Sequence, residues 1–152
     1  GQFEAALLQI QTLMPLFPKA IILLNLQGAV YISLNKPDAA IDVYIKALAI
    51  KPHHLDANNN LGHAYHMKGD LVSARESYKK VISINSNHFE AHYNLGLVLH
   101  KVGDLDSAIV SYQKAVEIKP NYFEAYNNMG NVFEDNDNLD LAIEAYKKAL
   151  NI

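Results

Sequence analysis

The chain has 152 residues, half of them hydrophobic, with no Cys and no Trp, which is enough to bury a sizeable core and excludes disulfides, thiolate metal ligands and Cys nucleophiles. Its 13 Lys and Arg and 16 Asp and Glu give a net charge of −3 and are mixed along the chain, so no basic block points to nucleic acid and no charge asymmetry points to a membrane surface. No apolar run approaches the roughly 18 residues of a spanning helix, and Gly1-Gln2-Phe3-Glu4 lacks the basic start and apolar core of a signal peptide.

The elements follow a fixed period. Gly28, Gly62, Gly96 and Gly130 are spaced by 34 residues, as are Ala40, Ala74, Ala108 and Ala142, and Tyr44, Tyr78, Tyr112 and Tyr146. A period in this range marks stacked supersecondary units. Residues 1–20 fit the second half of a unit, with Ala6, Ile10 and Pro18 in phase with Ala40, Tyr44 and Pro52. Complete units are expected over 21–54, 55–88 and 89–122, and a nearly complete one over 123–152. The whole is expected to be one array, a piece of a longer chain.

Each unit reads as two helices. The first carries apolar residues at helical spacing, as in Ala91, Leu95, Val98 and Leu99. It is expected to end where Gly69 or Gly103, or Asn35 or Asp137, takes the left-handed conformation of a helix C-terminus. Asp70, Asp104 and Asn138 are then expected to cap the second helix, and Pro37 to open one. Leu105, Ala108, Ile109, Tyr112, Ala115 and Val116 form that helix's apolar stripe. Pro18, Pro52 and Pro120 punctuate the joins, and at the join where Ser86 stands, Asn85 and Asn87 are the turn formers. Gly and Ala at the periodic small positions are expected to let paired helices approach closely.

The pattern of Leu-Gly, then Ala, Tyr, Ala and Pro resembles the tetratricopeptide repeat along the entire chain. His92 and Asn58 depart from it, standing where the family often has Trp or a large apolar residue, and Gln27 replaces the usual Leu. The resemblance implies an all-α fold, a right-handed superhelical solenoid of antiparallel helix pairs. Its first helices would line a concave groove that binds peptides or proteins without catalysis. More narrowly, Asn60, Asn94 and Asn128 in their Asn-Leu-Gly contexts are similar to arrays of bacterial repeat proteins and of O-GlcNAc transferase-type enzymes.

Within that frame the peptide-binding groove is expected to use Asp56, Asn59, Asn60, His63 and His66 in one unit. The next contributes Glu90, Tyr93, Asn94, Leu97 and His100, and the last Glu124, Asn127, Asn128 and Asn131. Met67, Lys101, Glu134 and Asp135 extend the three lines. Asn60, Asn94 and Asn128 form a ladder whose amides both donate and accept, suiting the main chain of an extended peptide; bracing of neighbouring helices is the competing role. Some family members clamp a carboxylate with basic residues. Here acids and amides hold those slots and Lys101 is the sole basic residue of the lining. Asp56, Glu90 and Glu124 on successive units suggest a neutral or basic protein or peptide as the partner, a solvated acidic stripe being the competing reading, with no nucleic acid, no membrane and no cofactor.

His63 and His66 lie three apart on one helix, yet no motif with metal-ligand spacing accompanies them, and no metal site is expected. No phosphate loop or nucleophile motif is present, and the periodic aromatics suit an inter-helix core better than base stacking. Phe3, Ala6, Leu7 and Ile10, and Leu141, Tyr146, Leu150 and Ile152, do not resemble polar capping helices, so end-to-end self-association is a further expectation. A protein-interaction scaffold leads, with a substrate-recruiting arm of a glycosyltransferase or sulfotransferase and a structural self-assembling array as alternatives. The compartment stays open, the cytoplasm being favoured.

Overall fold

The computed structural model describes all residues from Gly1 to Ile152 and contains helices without strands. In chain order they are α1 (Gln2–Leu13), α2 (Ile21–Ser33), α3 (Pro37–Ile50), α4 (Leu55–Lys68), α5 (Leu71–Ile84), α6 (Phe89–Lys101), α7 (Leu105–Ile118), α8 (Phe123–Asp135) and α9 (Leu139–Leu150). They form two compact units, Gly1–Lys80 and Val81–Ile152.

Turn chemistry explains the boundaries. Asn35 and Asp137 have φ of 53° and 55°, and Gly69 and Gly103 have φ of 85° and 83°, so all four take the left-handed position that ends a first helix. Pro37 stands at the start of α3, where its missing N–H costs no helical bond. Asp70 accepts from the Ser73 N–H at 3.1 Å and Asp104 from the Ser107 N–H at 3.3 Å. Asn138, expected to do the same for α9, makes no side-chain capping bond. Asn85 accepts from the Asn87 N–H at 3.0 Å, closing the join that lacks Pro.

Histidine supplies caps that the residue pattern did not suggest. The His54 ring accepts from the Ala57 N–H at 3.3 Å, and the His88 ring from the Ala91 N–H at 3.2 Å. Two of the departures from the family pattern, Asn58 and His92, also act at joins. Asn58, only 1% exposed, donates to the carbonyls of Pro52 and His54, and His92 Nε2 lies 2.9 Å from the Ser86 carbonyl. A polar group replaces apolar bulk at these two positions because a turn carbonyl stands within reach to satisfy it.

In the first unit α2 packs on α3, α3 on α4, and α2 also touches α4. Leu24, Val43, Ala47 and Ala57 form one buried cluster, and Ala40, Ile41, Tyr44, Leu61 and Ala64 another. In the second unit α6 packs on α7, α7 on α8, α8 on α9, and α6 touches α8. Its buried side chains include Val98, Leu99, Tyr112, Ala115, Met129 and Val132. Leu8, Leu16, Phe17 and Ile22 in the first unit, and Leu139, Ile143 and Leu150 in the second, remain exposed.

The periodic glycines do more than let helices cross. A Cβ on Gly62 would meet Tyr78 Cε1 at 2.7 Å, and one on Gly96 would meet Tyr112 Cε1 at 2.6 Å. Each glycine is thus the seat of the Tyr ring from its partner helix. The rings of Tyr78 and Tyr112 are fully buried, and their hydroxyls find no hydrogen-bond partner. An unpaired buried hydroxyl costs about 1–3 kcal/mol. Tyr78→Phe and Tyr112→Phe are therefore expected to leave stability unchanged or raise it by about 1 kcal/mol, and urea denaturation of each variant measures this. A loss above about 1 kcal/mol would show that the hydroxyls are paired in solution.

Candidate functional site

Polar residues at spacings of three and four share one side of a helix, and three helices carry such lines. On α4, Asp56 and His63 are exposed, while Asn59, Asn60 and His66 are half-buried. On α6, Glu90, Tyr93, Asn94, Leu97 and His100 are all half-buried, as are Glu124, Asn128 and Asn131 on α8, where Asn127 is exposed. The α4 line lies in the first unit; the α6 and α8 lines share the second, where the two helices touch.

The structure brings the α6 and α8 lines together through hydrogen bonds. Asn128 Nδ2 donates to the Tyr93 hydroxyl at 2.9 Å, and Asn131 Nδ2 reaches Asn128 Oδ1 at 3.5 Å. The Tyr146 hydroxyl, arriving from α9, lies 2.7 Å from Asn131 Oδ1 and 2.9 Å from Glu134 Oε2. At the other end of the two helices His100 Nε2 meets Asp135 Oδ2 at 2.6 Å. These bonds hold the side chains of α6 and α8 in one arrangement before any ligand arrives, which lowers the ordering cost of binding. They also make the asparagine ladder uneven. Asn128 uses both ends of its amide, whereas Asn60 and Asn94 make no hydrogen bond within their own units. On α4 the side-chain oxygen Oδ1 of Asn59 is buried without a partner.

Sequence reasoning missed an aromatic group beside this face. The rings of Phe89 and Tyr122 meet edge to face with centroids 5.2 Å apart, and Tyr93 lies 4.9 Å from Tyr122. Lys119 Nζ stands 4.5 Å from the Phe89 ring centre and 4.8 Å from that of Tyr122. Two of these aromatics break the period: Tyr93 stands where other units have Asn25, Asn59 and Asn127, and Tyr122 where they have Ala20, His54 and His88. That departure was the available signal. Burial raises the Tyr93 phenol above its ordinary range, a shift opposed by the bond from Asn128 and reinforced by Glu124. Tyr122 is raised in the same direction by burial, then by Tyr93, Glu124 and Glu90. The surroundings of both hydroxyls therefore disfavour added negative charge.

A family model for the TPR repeat matches residues 28–69, 67–103 and 99–137, and one for the tetratricopeptide repeat matches 123–152. The chain belongs to the tetratricopeptide repeat family. Solved tetratricopeptide-type structures share its fold. A crystal structure of MamA is 29% identical with a TM-score of 0.90, covering 99% of this chain and 88% of that one. A MamA fragment from Desulfovibrio magneticus RS-1 is 22% identical with a TM-score of 0.91, covering 99% and 85%. YrrB, described as a TPR protein with an unusual peptide-binding site, is 25% identical with a TM-score of 0.80, covering 99% and 77%. No curated protein matches the chain. No helix of this tetratricopeptide repeat chain is long and apolar enough to cross a membrane, and no three His, Asp or Glu side chains stand where they could hold a metal ion together.

Proposed function

We propose that this tetratricopeptide repeat chain is a non-enzymatic protein-interaction module that binds a neutral or basic peptide, or a partner's surface, along the first helices of its repeats. The observation that carries this reading is the braced polar face of α6 and α8. There Tyr93, Asn128 and Asn131 are tied in place, while the amide of Asn94 makes no hydrogen bond within its unit. Glu90 and Glu124 add negative charge on the same helices, and Lys101 is exposed at the end of α6. Such a face offers amides to a main chain and carboxylates to basic side chains. The peptide-binding site of the similar YrrB supports the same reading.

The test is partner capture. Proteins retained by the immobilised intact chain are identified, and each is measured again with the Asn60→Ala, Asn94→Ala and Asn128→Ala variant. Losing two or three direct amide contacts is expected to weaken binding by about 2–4 kcal/mol, at roughly 1 kcal/mol or more for each bond lost, that is, at least about thirtyfold. Unchanged affinity for every partner, in a variant with native helicity, would sink the groove reading.

A further inference from the structure

The Phe89, Tyr93 and Tyr122 group has two features that core packing does not require. All three rings are half-buried, not sealed, and an ammonium already rests against two of them. Lys119 follows the end of α7 as its C-cap, and its Nζ reaches the faces of Phe89 and Tyr122 at 4.5 and 4.8 Å. Ring faces carry negative quadrupole charge and attract a cation within about 6 Å. The negative charges of Glu124 and Glu90 are felt at the same place, adding to burial and Tyr93 in raising the Tyr122 phenol.

The three rings also stand where a peptide on the proposed face would pass. Tyr93 belongs to the α6 line and is fixed by Asn128 of the α8 line at 2.9 Å. Phe89 precedes it by one helical turn, and Tyr122 sits at the start of α8. At the joins before α4 and α6 this last position is His54 and His88, whose rings turn inward to cap those helices, and before α2 it is Ala20, which has no polar side chain to cap with. Tyr122 makes no such cap, which leaves its ring to the other two aromatics.

We propose that Phe89, Tyr93 and Tyr122 form an aromatic receptor for the ammonium of a lysine or methylated lysine side chain in a partner peptide, with Lys119 as its intramolecular occupant. The inference rests on the interaction reading above and names the side chain which that face selects. An incoming cation displaces Lys119, a long, flexible residue that regains water when it leaves. Methylation favours the incoming group further, because a quaternary ammonium gives up less hydration than Lys119 and is the cation such cages recognise best.

The probe is acetyl-Gly-trimethyllysine-Gly-amide, titrated into the intact chain and followed by the ring-proton resonances of Phe89, Tyr93 and Tyr122. Its control is the neutral analogue in which carbon replaces the quaternary nitrogen. Saturable shifts confined to these rings are expected, about fivefold weaker for the neutral analogue, as a partly exposed cation–π contact requires. Lys119→Met keeps the rings and removes the competitor, so it is expected to tighten probe binding severalfold, whereas Tyr122→Leu abolishes the shifts. Equal binding of the neutral analogue, or weaker binding to Lys119→Met, overturns the proposal, and the Lys119→Met result decides even if Tyr122→Leu fails to fold. If the probe does not reach the rings while the Asn variant still loses its partners, the receptor proposal alone falls. If the probe binds and the Asn variant keeps every partner, the groove reading alone falls.

Discussion

Gly96→Leu is expected to cost more than about 3 kcal/mol and to unfold the second unit at temperatures the intact chain tolerates, because the site has no room even for a methyl group. A Cβ at Gly96 would stand 2.6 Å from Cε1 and 2.7 Å from Cδ1 of Tyr112. Tyr112 is completely buried and cannot swing away, since close-packed interiors have no spare volume beside such a ring. Gly96→Ala is the sharper test. In a helix interior that change ordinarily adds about 1 kcal/mol of stability; here the clash reverses the sign, and a net loss of about 1–3 kcal/mol is expected. In a Tyr112→Ala background the same Gly96→Ala change is expected to become favourable again. Urea denaturation of the four proteins forms a double-mutant cycle with a coupling above about 1 kcal/mol, and an increase in stability on Gly96→Ala alone contradicts the account. Gly130 provides an internal comparison. Its Cβ would lie 2.5 Å from Tyr146, but Tyr146 is only half-buried, so its ring can yield and Gly130→Ala is expected to cost less.

Alkaline unfolding is the second large effect. Burial pushes the Tyr44 phenol up to about 12 and raises Tyr78 and Tyr112 further in the same direction. An unfolded phenol ionises near pH 10. Below that pH both states keep the proton, and the stabilisation is fully present. As pH rises from about 10 through the folded values only the unfolded chain releases its protons, so stability falls. For Tyr44 alone the loss is roughly 2 kcal/mol by pH 12. Tyr44 and Tyr78 act in the first unit and Tyr112 in the second, so both are expected to lose helix in this window. Circular dichroism and tyrosinate absorbance, followed together against pH, are expected to change in the same steep step. Phenol ionisation spread around pH 10 with the helices intact contradicts this, and Tyr78→Phe with Tyr112→Phe is expected to move the step to higher pH.

Most of the local structure was legible because it depends on residues that are neighbours in sequence. The left-handed positions at Asn35, Gly69, Gly103 and Asp137 follow from which residues tolerate positive φ, and the Asp70 and Asp104 caps from an acceptor placed three residues before a free N–H. Asn138 fits the same rule yet makes no bond, since a side chain that tolerates a cap need not adopt its rotamer. The His54 and His88 caps were not legible. Histidine is an infrequent capping residue, and its ring accepts only when the backbone aims an N–H at Nδ1. The Tyr rings seated on Gly62 and Gly96 lay equally out of view, because a periodic Gly and a periodic Tyr sixteen residues apart carry no statement that they touch.

The sequence by itself determined the repeat period, the helix pairs and the faces on which Asn60, Asn94, Asn128 and the acids lie, since these follow from spacing and local backbone preference. Only the tertiary structure decided that Asn128 is held by Tyr93 and Asn131 while Asn60 and Asn94 make no hydrogen bond within their units. It alone gathered Phe89, Tyr93 and Tyr122 around Lys119. The contacts among these that cross between helices join residues 29 to 35 apart in the chain, and they depend on distances of a few ångströms that packing between helices sets and residue identity does not.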